Sequence, residues 1–427
     1  MRRKGIAVLA GALLITGAAA STKAAESEFH GQFRINYYSE SQSEGADTAA
    51  ARLRWRPTWD AKVSDDVSMH MQLNIGHIES NTSNARYDKS VETAATPDKA
   101  DPAVAIRHAY LNFKLPEVGG NVVAGLVPIS DKFGDTLFSS DWDFNPLAVA
   151  WLGKIGAADV RIGTGKLSEG TPADTDDVDA YVLDVDVLAG SGTIGASVYQ
   201  VTALSYPNTN GVAQTYAGVR GSQDFGVAKV NAFVLYNTGK TKGAGGTADL
   251  DNSGYAIKLE GIMPAGPSKV GVMFLTASGD KDGKGSFITP MTLIGHTGYW
   301  GYTGKLNVQG PTDTGIDAPV NIDGASYSSG SGRGLGIMTL QAKADFPITE
   351  KLSGYAAVGI FQHQDAPTTN KKDIGTDIYA QGKYNLGKNL NLEAGLDYAM
   401  LPKENAETGN TKDNNVTLAF ARLQLEY

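Results

Sequence analysis

Apolar and polar residues alternate along most of this chain. From Gln32 to Tyr37 every second residue is aromatic or aliphatic, and the stretches Met69–Ile75, Ala109–Leu115 and Leu390–Tyr398 repeat the pattern. In an extended strand, side chains two positions apart share a face. The pattern therefore predicts strands with one apolar and one polar face.

The alternating segments recur from end to end without a linker or a shift in composition. About 18 are present, each long enough for the ~9–11 residues that a tilted strand needs to cross a bilayer. They fall near 28–40, 47–62, 66–79, 102–115, 120–130, 146–155, 157–167, 177–190, 192–202, 212–223, 226–238, 252–264, 268–279, 334–347, 350–362, 374–386, 388–401 and 414–427. We predict an all-β fold, a transmembrane antiparallel β-barrel of about 18 strands, with 16 as the other count.

The connections between these segments alternate in length. Short turns such as 64–66 and 347–349 are interleaved with longer polar loops, of which 280–333 is the longest and could hold an extra hairpin. Outer-membrane barrels have short periplasmic turns and longer outer loops. A soluble sandwich or propeller has no reason to maintain this alternation.

The N-terminal residues have the pattern of a secretory signal peptide. Met1-Arg2-Arg3-Lys4 precedes an uncharged apolar run to about Ala20, followed by small residues up to Ala24. This predicts a signal peptide over 1–24, with cleavage at 20–25, and one mature barrel over 25–427. No other stretch approaches the length of a membrane-spanning helix.

Composition excludes several kinds of chemistry. The chain has no cysteine, which excludes disulfides, thiolate-bound clusters and covalently attached c-type haem. Its formal charge is −9, which does not suit a nucleic-acid binder. The six histidines show no metal-binding spacing. We therefore predict no cofactor, no metal and no catalytic residue, although a catalytic constellation could exist without leaving a spacing signal.

Four arginines give the strongest charge pattern. Arg52, Arg54 and Arg56 share one face of the second strand, and Arg34 lies on the polar face of the first. Across one hairpin these would form a basic ladder on the lumen wall, and such ladders set the sign of the preferred ion. The other interpretation is that each arginine pairs with a lumenal carboxylate and braces the wall.

The loop 131–146 combines acids with large aromatic residues. Asp131, Asp135, Asp141 and Asp143 alternate with Phe133, Phe138, Trp142 and Phe144. An exposed loop has little reason to hold four such aromatic residues. We expect the loop to fold inward, constrict the pore and bring its acids opposite the arginines, or else to pack against its neighbours at the outer rim.

Two positions conflict with regular strands. Pro57 removes a ladder hydrogen bond, so we expect a bulge or a local break there. Arg107 shares parity with the apolar face, and it must lie near the lipid headgroups or beside a register change.

The last strand ends in the aromatic residue Tyr427, opposite polar Glu426. This resembles the C-terminal assembly signal of Gram-negative outer-membrane barrels, although most of them end in Phe. Together with the features above, the chain resembles an outer-membrane porin over nearly its whole mature length. Short segments are also similar to alginate-export-like channels: Ile106–Phe113, Gly125–Pro128, Phe133–Asp135, Pro290–His296 and Tyr299–Gly301.

The resemblance implies a location in the outer membrane among lipid and lipopolysaccharide, and insertion by the barrel-assembly machinery. It implies passive diffusion of ions and small hydrophilic solutes, with the homotrimer and the monomer both open. The alternatives are a selective channel for an anionic saccharide, or a barrel enzyme or adhesin that displays loop 280–333.

Overall fold

The computed structural model describes residues 26–43, 47–79, 104–138, 140, 145–168, 178–203, 209–243, 249–279, 287, 336–365, 372–402 and 413–427. Its regular elements are eighteen strands. They are β1 (Glu26–Gln42), β2 (Thr48–Lys62), β3 (Val67–Glu79), β4 (Val104–Lys114), β5 (Asn121–Leu126), β6 (Leu147–Ile155), β7 (Ala158–Ser168), β8 (Val178–Ala189), β9 (Gly192–Ala203), β10 (Thr209–Asp224), β11 (Lys229–Gly243), β12 (Leu250–Ala265), β13 (Ser268–Ala277), β14 (Ile337–Pro347), β15 (Leu352–Gln362), β16 (Asp373–Gly387), β17 (Leu390–Leu401) and β18 (Asn414–Glu426).

Each strand pairs antiparallel with the next, and β1 also pairs with β18. The sheet is therefore a closed barrel, and the predicted fold class and strand count are confirmed. The strand predicted over 120–130 is shorter, because β5 ends at Leu126 and the chain then leaves the wall. The proposed signal peptide and nearly all of loop 280–333 lie outside the described residues.

The predicted alternation of connections is also present. At the end where β1 begins, neighbouring strands are joined by short turns, and at the other end by the longer loops. Three two-residue turns begin with Gly156, Gly190 and Gly266 at φ near +60°, and a fourth contains Asn389 at φ 67°. Tight hairpin turns need positive φ, which glycine and asparagine adopt most readily. We call the two ends the turn rim and the loop rim.

Strand faces follow the predicted parity. Asn36 is buried at 3% exposure and its neighbour Tyr37 is 60% exposed, while Asp397 is 1% exposed beside Leu396 at 59%. The polar residue of each pair faces the interior and the apolar residue faces outward. No helix in the described part of the chain is long and apolar enough to span a membrane.

One expectation about the interior needs correction. The inward face also carries buried apolar side chains, with Leu235, Leu275, Phe361, Leu401 and Leu418 at 0–1% exposure. Phe287, from the long loop, is buried in the same cluster. Apolar side chains turned inward become favourable when chain segments inside the barrel cover them. Polar side chains are buried at this level too, among them Glu40, Gln214 and Asn252, so the interior near the loop rim is mixed.

The two irregular positions behave as expected. The β2–β3 pairing has no partner for Arg56 or Pro57, which is the predicted local break. In the β3–β4 pairing, Gln72 pairs with His108 and Leu73 with Ile106, so Arg107 is the extra residue of a bulge. The bulge turns Arg107 inward, where it is 9% exposed.

Candidate functional site

The four predicted arginines lie on adjacent strands with matched register. Arg34 is the direct cross-strand partner of Arg54, and Arg52 and Arg56 pair with Asn36 and Gln32. Two of their contacts are to amide oxygens: Arg34 Nε donates to Gln424 Oε1 at 2.9 Å, and Arg54 Nη2 donates to Gln32 Oε1 at 2.5 Å. We call Arg34, Arg52, Arg54 and Arg56 the arginine column.

Amide contacts fix the orientation of a guanidinium on the wall. Directly opposed residues in an antiparallel pair have Cα atoms only about 4.5–5.5 Å apart, and like charges there repel. The repulsion between Arg34 and Arg54 falls when an anion lies beside both. The column thus gathers several positive charges on one arc of the wall.

The segment after β5 folds into the barrel. Phe133, Leu137 and Phe138 are 1%, 0% and 2% exposed. Phe133 packs edge-on against Phe233 of β11 at 5.6 Å, and Phe138 packs against Tyr199 of β9 at 5.2 Å. We call residues 131–138 the inner segment.

The inner segment and the arginine column occupy opposite arcs of the wall. The segment packs on β9 to β11, and the column lies on β1 and β2. In a ring of eighteen strands these positions are about half a circumference apart. The lumen therefore passes between an arginine-bearing wall and an inward-folded loop.

Asp131 organises the inner segment from within. Its carboxylate accepts backbone N–H bonds from Phe133 at 2.6 Å, from Phe138 at 3.0 Å and from Leu137. Burial outweighs these bonds and raises the pKa of Asp131 to about 7. Asp131 thus braces the loop, instead of presenting its carboxylate to the column as expected. Asp135 lies at the tip with φ 59°, and Asp141 and Asp143 lie outside the described residues.

A clasp of two serines closes the base of this segment. Ser140 N donates to Ser130 Oγ at 3.0 Å, and the two hydroxyls are 3.1 Å apart. Arg161 Nη2 donates to the Ser130 carbonyl at 3.0 Å, and Arg107 Nη2 donates to the Ser140 carbonyl at 2.5 Å. Two wall arginines thus hold the clasp from opposite sides.

Behind the inner segment lies a charged network on β7 to β10. Asp184, 1% exposed, accepts a hydrogen bond from Arg161 Nε at 2.6 Å and others from Ser197 and Tyr199. Arg220 pairs with Asp186, and its guanidinium lies 5.5 Å from the Phe133 ring. These arginines are neutralised by carboxylates and serve to anchor the loop.

Other inward charges are also paired. Glu260 lies 2.6 Å from Lys343 and 3.9 Å from Lys258. Glu393 accepts a bond from Arg422 Nε at 2.8 Å. No group of three or more His, Cys, Asp or Glu side chains within the described ranges is arranged to hold a metal ion.

Tyr427 closes the barrel at the turn rim. Its backbone exchanges two hydrogen bonds with Gly31, at 2.9 and 3.0 Å. Its hydroxyl accepts a bond from Trp55 Nε1 at 2.8 Å, and its ring lies 5.9 Å from Phe29. The last residue is therefore bound into an outward aromatic cluster at the seam between β1 and β18.

The sequence did not predict that Arg161 and Arg220 pair with Asp184 and Asp186, or that the inward histidines lie together at the foot of the column. Strand parity turns Arg161, Asp184 and Asp186 of one hairpin toward the interior. This pattern was the sequence feature that could have indicated the network. His30, His70 and His108 also share inward parity on β1, β3 and β4.

No protein-family model matches the chain, and no curated protein matches it in sequence. Solved structures do match it. OccK9 (OpdG) of Pseudomonas aeruginosa has a TM-score of 0.57 at 14% identity, over 94% of this chain and 99% of that one. OccAB1 of Acinetobacter baumannii has a TM-score of 0.56 at 14% identity, over 94% and 96%. The P. aeruginosa outer membrane protein OpdK, solved with vanillate, has a TM-score of 0.55 at 10% identity, over 94% and 99%. At these identities the likeness establishes a shared fold, a closed antiparallel β-barrel.

Proposed function

We propose that this chain is an outer-membrane porin through which ions and small hydrophilic solutes diffuse passively, with a preference for anions. The observation that carries the proposal is the position of the arginine column across the lumen from the inner segment. A closed wall with charged groups on its inner face favours ions of the opposite sign.

The electrostatics support a preference for anions. Arg34 and Arg54 are direct cross-strand partners, and Arg52 and Arg56 lie on the same strand as Arg54, so four basic residues share one hairpin. On the far wall, Arg161 and Arg220 pair with Asp184 and Asp186. We therefore expect the stronger positive field on the arc that the inner segment leaves open.

The inner segment supplies the size limit. Its aromatic side chains are buried against β9 to β11, and its base is clasped at Ser130 and Ser140. A loop held at its base and tip keeps a fixed outline, so we expect the pore to exclude large solutes by geometry.

A selective channel for organic anions is the second candidate. OpdK, which shares this fold, was solved with vanillate, a carboxylate. In this case the arginine column would be a binding track for a carboxylate or an anionic saccharide. A track saturates, so vanillate or glucuronate would block single-channel current in a concentration-dependent way, whereas an open pore would show no block.

The test replaces Arg34, Arg54 and Arg56 together with glutamine and measures the reversal potential in planar bilayers under a KCl gradient. We expect the anion-to-cation permeability ratio to fall. The control is Lys240→Gln, which removes an exposed cation outside the column that lies 3.5 Å from Asp251. An unchanged ratio in the triple variant would eliminate the column as a filter. Absence of any pore in the wild type would overturn the porin assignment.

A further inference from the structure

Three of the six histidines in the chain meet at the foot of the arginine column. His30 Nε2 and His70 Nδ1 each lie 2.7 Å from one of the two carboxylate oxygens of Asp60. The His70 ring stacks on Tyr110 with centroids 4.8 Å apart, and the His108 ring is 5.7 Å away. We call His30, Asp60 and His70 the histidine foot.

The histidine foot faces the same lumen as the column. Asp60 shares the inward parity of β2 with Arg56, four residues away, which corresponds to about 13 Å along a strand. The side chains of His30 and Asp60 are 41% and 40% exposed, and that of His70 is 18% exposed. Water and ions leaving the column toward the turn rim therefore reach these groups.

The charge of this trio depends on the imidazoles. With both rings neutral, the Asp60 carboxylate gives a charge of −1. With both protonated, the trio carries +1, a change of two charges at one level of the lumen. Imidazole is the side chain that ordinarily changes charge between pH 5 and 8.

The neighbouring charged groups come from four strands. On β1, Glu26 and Glu28 share the inward parity, and Lys62 at the end of β2 pairs with Asp65 at 2.7 Å. On β18, Glu426 accepts a bond from Gln32 at 2.8 Å. On β4 the facing groups are His108, Tyr110 and Lys114, of which Lys114 pairs with Asp66 and His108 contacts Asn145 Oδ1 at 3.0 Å. Carboxylates thus dominate this level whenever the imidazoles are neutral.

We propose that His30 and His70 are specificity-determining residues which extend the arginine column to the turn rim when protonated and interrupt it with negative charge when neutral. The proposal rests on the anion-conducting function above. It implies that anions pass between column and periplasm more readily in mildly acid solution than in neutral solution. Coulomb's law at about 10 Å in water, reduced by ionic screening, gives an increase of about two- to threefold in the anion-to-cation permeability ratio.

The test measures reversal potentials of the full chain in planar bilayers of neutral lipid at pH 7.5 and pH 5.5. The wild type is compared with the double variant His30→Gln, His70→Gln, because glutamine can still donate to Asp60 but does not titrate. We expect the ratio to rise about two- to threefold on acidification in the wild type and to stay nearly constant in the double variant. The single variant His30→Gln changes only the more exposed ring and should lose about half of the response.

The matched control is His363→Gln, at the loop-rim end of β15. Burial lowers the pKa of His363 to about 4, below the range tested, so this variant should retain the wild-type response. A pH response of wild-type size in the double variant would overturn the proposal while leaving the channel assignment intact. A pore without preference for anions at either pH would instead reject the proposed function.

Discussion

Removing the aromatic anchors of the inner segment should widen the pore without damaging the barrel. Phe133 and Phe138 are 1% and 2% exposed and both pack against Tyr199. Truncating a buried phenylalanine to alanine costs about 3–5 kcal/mol. Because the two rings share a partner, the losses add imperfectly, and we take about 6 kcal/mol for the double variant Phe133→Ala, Phe138→Ala. A loss of this size is comparable with the whole stability of many small domains.

The eighteen-strand ladder does not depend on this segment, so the wall should remain closed while the segment leaves it. We expect larger single-channel conductance, more open-channel noise and faster entry of larger sugars in liposome swelling. The control Phe274→Ala makes the same chemical change on the outward face of β13, where the ring is 37% exposed. Wild-type conductance and sugar cut-off in a correctly folded double variant would refute the claim that the inner segment limits the pore.

Three further predictions follow from the contacts described. The docked inner segment raises the pKa of Asp131 from 3.8 to about 7. Docking is therefore fully favoured below pH 4 and weakens by up to about 4 kcal/mol as pH rises through 7. Open-channel noise should increase above pH 7 in the wild type, and Asp131→Asn should abolish this pH dependence. Asp184→Asn leaves the Arg161 charge without its nearest carboxylate, at a cost of about 3–5 kcal/mol, which should lower the temperature at which the barrel unfolds on heat-modifiability gels. Asp159→Asn, on the strand that carries Arg161, should leave this temperature unchanged. Deleting Tyr427 removes two seam hydrogen bonds and an aromatic contact, and should slow barrel assembly measured by folding into liposomes; wild-type folding kinetics would exclude an assembly role for this residue.

The alternation of apolar and polar residues predicted the strands and their inward faces well, because strands of a membrane-spanning barrel follow one simple rule. Side chains alternate between lipid and lumen, so parity alone placed Arg34 and Arg54 inward. The same rule identified Arg107 as a misfit, and the β3–β4 bulge accounts for it.

The contents of the barrel could not be predicted in this way. Parity says that Leu275 and Phe361 face inward but not that other chain segments cover them there. The path of the inner segment depends on strands that are distant in sequence, such as β9 and β11. The acidic and aromatic composition of the loop predicted that Asp131 faces the pore. Only the three backbone N–H groups that donate to its carboxylate show that it holds the loop instead.

One arginine of the column makes a contact across the seam between the first and last strands. Arg34 is on the first strand, and its amide partner Gln424 is on the final one. This contact of the column therefore forms only when β1 and β18 have paired. Under the proposed function, Arg34 takes its final orientation only when the barrel closes, so full discrimination between solutes is expected only after that step.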